Sequence, residues 1–214
     1  MLYDNLASSA VKIISRPFAP SMIVIGEPNL DNTISDLAVS LGGRNTIKIE
    51  GQAHVTAFMK YMMEGSLGAD VKIGMAIKIA TGFMANTPLQ FQATNSAATT
   101  PEVRGYSEAK DGTPVTAAQE SIQANSSTIF EGLFKALIFP TTNFSYANIE
   151  FADGHTETEM GLPEIRSMFL EANQADADGE LGGMMCIDNG DGRIVRATLF
   201  TDSGGSLVVK NIGF

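Results

Sequence analysis

Two histidines, one cysteine and 24 acidic side chains are foremost among the groups in this 214-residue sequence that could bind a metal or act as nucleophile, acid or base. His54 and His155 each follow closely on a glycine that ends a short alternating stretch. A cupin-type metal needs a cluster of histidines and a carboxylate on neighbouring strands. Two histidines in matching places fit a repeated turn better than a shared ion. A serine nucleophile needs a base and an orienting acid within hydrogen-bond reach. Asp153 is near His155 in sequence, but no Gly-x-Ser-x-Gly elbow is present. The pairs Gly42-Gly43 and Gly204-Gly205 belong to neither phosphate-loop pattern and read as turns. Paired carboxylates could serve glycoside hydrolysis, yet among so many acids no pair stands out. Cys186 sits between Met184, Met185 and Ile187, a buried-strand pattern in which a thiol is inert filler.

The strongest chemical candidate is Asp176, Asp178 and Glu180 around Gly179, which has the look of half a calcium loop. Alignment on Gly179 places Gln174 at the first ligand position and Met185 where the bidentate Glu belongs, so the motif fails. It reads as a solvated turn, with a weak ion between subunits as the other reading. With no Trp and four Tyr, little is available for stacking on sugars. The sequence assigns no catalytic, cofactor-binding or metal residue, and no cofactor; it reads as a non-enzyme.

The elements around these residues are mostly strands. Between Asp70 and Ala80, Val71, Ile73, Met75, Ile77 and Ile79 alternate with smaller or charged residues, a half-buried strand. Shorter strands are expected at Met22–Ile25, Ile34–Leu41, Thr46–Glu50, Leu89–Thr94, Ala136–Phe139, Asn148–Phe151, Arg193–Phe200 and Leu207–Ile212, most bounded by Gly, Pro, Asn or Asp. The run from Asp188 to Gly192 between apolar stretches is a hairpin signal. Two helices interrupt the strands. Val55, Phe58, Met59 and Met62 form one apolar stripe, and Ile165, Met168, Phe169 and Ala172 the other, with Pro163 in its first turn. Residues Leu2 to Ile14 are expected to form a short helix with Leu2, Leu6, Ala10 and Ile13 on one face.

The order of elements repeats. Asn45 to Gly51 leads into the first helix, and Ala147 to Gly154 into the second: a short strand, an acidic residue, a glycine, then the helix. Upstream lie Ile34–Leu41 and Leu133–Phe139, each ending in a small polar turn. Downstream come Asp70–Ala80 matched with Arg193–Phe200, then Leu89–Thr94 matched with Leu207–Ile212. This is an internal duplication of β modules of about 100 residues. Two all-β modules of this size, each with one inserted short helix, point to tandem jelly-roll-like sandwiches.

Twin modules in which a strand ends in Glu-Gly or Asp-Gly and runs into a helix, as at Ile47–Gly51 and Ile149–Gly154, resemble the double jelly-roll major capsid proteins of tailless, membrane-containing bacteriophages, the corticovirus group in particular. The resemblance implies a capsid protein assembling as trimeric, pseudo-hexagonal capsomers in an icosahedral shell. It implies self and other virion proteins as partners, an internal lipid layer met through the N-terminal arm, a virion location after synthesis in the host cytoplasm, and no active site. The expected division is an arm at residues 1–16, a first module at 17–95, a linker or surface excursion at 96–127 rich in Ser, Thr, Ala, Asn and Gln, and a second module at 128–214.

Composition narrows the alternatives. Fourteen basic against 24 acidic residues give a net charge of −10, and no basic run exists, which disfavours a phosphate-binding groove and direct contact with nucleic acid. No apolar run of membrane-spanning length occurs. Met1 to Asp4 lacks a basic leader and Lys12 interrupts the run from Ala10 to Ile14, so a signal peptide is not expected. The other readings are a tail-tube, neck or decoration protein of a tailed phage, and a monomeric ligand-binding sandwich.

Overall fold

A computed structural model describes residues 2–5, 11–16, 22–26, 34–64, 76–80, 88–95, 102–106, 116–122, 126–173, 181, 184–188, 190, 193–202 and 205–210. The chain divides into two units, Met1–Ala118 with Gly213–Phe214, and Gln119–Ile212.

The first unit runs β1 (Leu2–Asn5), β2 (Val11–Arg16), β3 (Met22–Gly26), β4 (Ile34–Leu41), β5 (Arg44–Glu50), α1 (Gln52–Glu64), β6 (Ala76–Ala80), β7 (Leu89–Asn95) and β8 (Glu102–Tyr106). These strands form two antiparallel four-stranded sheets, β1-β8-β3-β6 and β2-β7-β4-β5. From Asp36 onward strand β4 alternates: Leu37, Val39 and Leu41 are buried, while Asp36, Ala38 and Ser40 face outward, and a register shift between Ile34 and Asp36 lets Ile34 be buried as well. Gly42 and Gly43, at φ 58° and 78°, close the β4–β5 hairpin. Two left-handed residues in a two-residue loop are what a primed turn requires, and glycine adopts them without a Cβ penalty. Val55 and Phe58 of α1 are fully buried, as the apolar stripe predicts; Tyr61 joins them.

The second unit runs β9 (Ala118–Ile122), β10 (Ser126–Phe134), β11 (Ala136–Pro140), β12 (Phe144–Phe151), β13 (Thr156–Met160), α2 (Leu162–Asn173), β14 (Met184–Asp188), β15 (Ile194–Thr201) and β16 (Gly205–Lys210). Its sheets are β14-β11-β16-β9 and β10-β15-β12-β13. One core joins both sheets and the helix: Phe130 and Phe134, Leu137 and Phe139, Ala147, Ile149 and Phe151, Ile165, Met185 and Ile187, and Ile194, Ala197 and Leu199 pack together, with Met168 partly buried against them.

Each unit has the same path. Its first, third, sixth and eighth strands make one sheet, the second, fourth, fifth and seventh make the other, and the helix follows the fifth strand. The chain changes sheets at nearly every connection, which is the jelly roll. The fold is mainly β, two tandem jelly-roll sandwiches with one short helix each.

Several local expectations change. Residues 2–5 and 11–16 are strands, paired to β8 and β7, where a helix was expected; Val11, Ile13 and Ile14 form a β-branched stretch aligned with Leu89–Thr94. Strands also occupy the stretch expected to be a linker: β8, β9 and the start of β10 lie there. Of the long strand expected at 70–80, Ala76–Ala80 is a strand and 70–75 lie outside the described residues. The Asp188–Gly192 stretch does not make a hairpin, because β14 pairs with β11 while β15 pairs with β10 and β12. The Asp188 carboxylate accepts the Gly190 N–H at 2.9 Å, and the chain crosses to the other sheet.

The duplication is real in topology but shifted by one strand from its sequence reading. The sequence pattern passes over β13 and so sets Gly154 opposite Gly51. Gly154 lies instead in the β12–β13 turn, the place of Gly43 in the first unit. The counterpart of Gly51 is Gly161: the Gly51 carbonyl accepts the Val55 N–H at 3.0 Å and the Gly161 carbonyl accepts the Ile165 N–H at 3.1 Å, each opening its helix.

Candidate functional site

The two histidines are separated in role as well as in place. His54 lies in the first turn of α1, half-buried, with its Nδ1 enclosed and lacking a hydrogen-bond partner. Burial pushes its imidazole below the ordinary histidine pKa. His155 is exposed in the β12–β13 turn, stacks on Phe151 with centroids 5.8 Å apart, and lies 2.8 Å from Glu157 Oε1 through Nε2. Asp153 accepts the His155 backbone N–H at 2.9 Å. Its carboxylate thus shapes the turn and is not orienting an imidazole, as a triad would require.

Cys186 is fully buried on β14, opposite Ile138 of β11, as expected of a core thiol. Asp176, Asp178 and Glu180 lie outside the described residues, as do Met59 and Met62 as side chains. No group of three His, Cys, Asp or Glu side chains able to hold a metal occurs among the described residues. No helix among them is long and apolar enough to cross a membrane.

The features that stand out are instead on the outer faces of the two matching sheets. On β2-β7-β4-β5, short side chains leave a recess of about 300 Å³ lined by Asp36, Ala38, Ser40, Gln90, Gln92 and Thr94, with Lys48 and Glu50 from β5 at its side. Lys48 Nζ and Glu50 Oε1 are 3.2 Å apart. The small outward side chains of β4 and β7 in this lining are Ala38, Ser40 and Thr94.

On β10-β15-β12-β13 the same face is raised. Tyr146 and Phe200 stack across β12 and β15 with centroids 4.2 Å apart and an interplanar angle of 18°. Beside them Arg196 bridges Glu131 at 3.0 Å and Glu150 at 3.6 Å, a cross-strand charge ladder open to water. Such exposed pairs contribute little to stability, up to about 1 kcal/mol. Ile129 and Leu133 of β10 are 58% and 47% exposed, and Ile13 of β2 is 53% exposed.

These faces escaped sequence reasoning because β2, β10 and part of β12 had not been read as strands. The signal that identifies them is the period of two through Ile129, Glu131 and Leu133, opposed by buried Phe130 and Phe134.

No protein-family model matches the sequence, and no curated protein matches it. Among solved structures, the chain is similar to the major capsid protein P2 of bacteriophage PM2, with a TM-score of 0.65 and 10% identity over 96% of this chain and 92% of that one. It is also similar to PBCV-1 VP54, fitted into a cryo-EM reconstruction of the virophage Sputnik, at a TM-score of 0.46 and 7% identity over 99% of this chain and 91% of that one. The first likeness shows a shared fold across nearly the whole of both chains.

Proposed function

We propose that this protein is a virion structural protein, a major capsid protein whose copies associate as trimeric capsomers and then as an icosahedral phage shell. The observation that supports this reading most is the tandem jelly roll, similar in fold to the phage capsid protein over 96% of this chain and 92% of that one, with each helix after the fifth strand of its unit. A trimer of a twofold-repeated chain offers six similar modules around one axis, a natural way for one polypeptide to build a near-hexagonal tile. The partners are other copies of the chain and other virion proteins, the location is the virion, and the work is assembly without turnover. Residues 1–16, placed by sequence as an arm, include the edge strands Leu2–Asn5 and Val11–Arg16, and are proposed to lie on the side facing any internal lipid layer.

Light scattering on the purified chain tests the reading. A mass near three times 22.7 kDa, followed by shells in electron micrographs, is expected. A 22.7 kDa monomer that persists at high concentration and forms no particles would overturn it. Saccharide binding by that monomer would move the assignment to a ligand-binding sandwich, and stacked rings would move it to a tube protein.

A further inference from the structure

The fifth strand of each unit, β5 and β13, stands at the end of its sheet among the described residues. An end strand presents a row of unpaired N–H and C=O groups, a template on which another strand can add. In the first unit part of that row is covered by the same chain. Ala117 lies parallel to Ile47: the Lys48 N–H donates to the Ala117 carbonyl at 3.1 Å, and the Ala117 N–H donates to the Thr46 carbonyl at 2.8 Å. In the second unit the edge is built differently. Glu157 lies opposite Ile149 and Met160 opposite Ala147, so Asn148 alone on β12 faces two residues, Thr158 and Glu159, on β13. The extra residue is a β-bulge, which bends its strand and interrupts the ladder. Glu159 takes φ 54°, and its N–H donates to Asn148 Oδ1 at 2.8 Å.

We propose that this bulge, held by Asn148, is an edge guard: it stops the Thr156–Met160 strand from adding the same strand of a second copy. The left-handed φ of Glu159 breaks the run of extended backbone that a partner strand needs. Its N–H, turned onto Asn148, is withdrawn from any incoming carbonyl. The bulge also decides that Met160, and not Glu159, stands opposite buried Ala147. Packing alone does not call for it. Without Glu159, Thr158 alone would face Asn148, and Glu157 and Met160 would keep their partners in a regular ladder. An extra residue in a conformation costly for a glutamate thus finds its use at the edge. The guard concerns a contact that copies of this chain avoid, and it holds whether or not they build a shell.

Deletion of Glu159 tests the guard, with Thr158→Cys as the reporter in both the shortened and the full-length chain. Two β13 edges pairing antiparallel bring these exposed positions together, where a short bis-maleimide joins them before a denaturing gel. The native Cys186 is buried and does not compete. At equal concentration the cross-linked dimer fraction is expected to rise about tenfold on deletion. Asn148→Val removes the acceptor at unchanged chain length and is expected to raise the fraction too. Glu159→Gly removes the charge, keeps the bulge and suits its φ, so the fraction stays at the level of the full-length chain. A folded deletion variant with no rise overturns the proposal, as does strong cross-linking of Thr158→Cys by itself. Where deletion prevents folding, no rise with Asn148→Val overturns it. A rise with Glu159→Gly as large as that on deletion also overturns it, because charge repulsion and not the bulge would then guard the edge. Mass and shells are read on the unaltered chain, so the capsid reading stands or falls separately.

Discussion

Three glycines separate topological equivalence from conformational equivalence. Gly51 and Gly161 are counterparts, each presenting its carbonyl to the first hydrogen bond of a helix, and Gly154 belongs to a different turn. Their backbones group otherwise: Gly51 has φ +92° and Gly154 has φ +87°, while Gly161 is not in the left-handed region. An L side chain at positive φ costs about 1–2 kcal/mol. Gly51→Ala adds a Cβ contact at 3.3 Å with His54 Cδ2, and Gly154→Ala adds none within 4 Å. Gly161→Ala meets Glu164 Oε2 at 3.0 Å, but that atom ends a flexible, exposed side chain that can turn away. Its backbone term is favourable, because alanine narrows the unfolded ensemble by about 0.4–1 kcal/mol.

The expected order of destabilisation is therefore Gly51→Ala slightly above Gly154→Ala, both about 1–2 kcal/mol, with Gly161→Ala near zero or stabilising. At about 2–4 °C per kcal/mol for a chain of this length, the first two lower the melting temperature by about 2–8 °C. Urea titration at a common slope gives the same ranking as free energies. If Gly161→Ala costs as much as Gly51→Ala, the argument from backbone angle is wrong and shared position in the repeat governs the penalty.

Two other outcomes follow from the helices. Burial lowers the His54 pKa, so the folded state resists a proton that the unfolded chain accepts near pH 6.5. Stability from this group is complete above that pH and declines as the pH falls through and below it. His54→Leu removes both the titration and the enclosed, unpartnered Nδ1, so urea midpoints measured from pH 7.5 to 5.5 are expected to flatten; an unchanged slope would show that other groups set it. Phe58 of α1 and Phe169 of α2 are both fully buried. Truncating either to alanine is expected to cost about 3–5 kcal/mol, a large share of a total of about 5–15 kcal/mol. Chemical denaturation that shows a loss below about 1 kcal/mol would mean that the helices do not anchor the cores.

Much of the β architecture was legible because the relevant strands have one buried face. Ile34–Leu41 has the bounds expected of it, since Leu37, Val39 and Leu41 alternate with outward residues and Gly42 stops it. Both helices were found from their stripes, and Pro163 marked the second. Thr156–Met160 was not found, because Thr-Glu-Thr-Glu offers no alternation of polarity: it is an edge strand with only Met160 buried. That single omission moved the repeat out of register and made His54 and His155 look equivalent. The run Leu133–Phe139 failed for the opposite reason. Its apolar residues are continuous, yet Lys135 divides β10 from β11 and the two lie in different sheets. Local pattern reports burial, and the choice of sheet is decided by distant partners such as Ile194–Thr201 and Met184–Asp188.

The candidate surface was less legible for a physical reason. Core positions need only be apolar and of about the right volume, so they tolerate divergence within a narrow chemistry. Outward positions are released from that constraint, and in this chain the released positions moved apart: Thr94 and Asp36 in one unit, Phe200 and Tyr146 in the other.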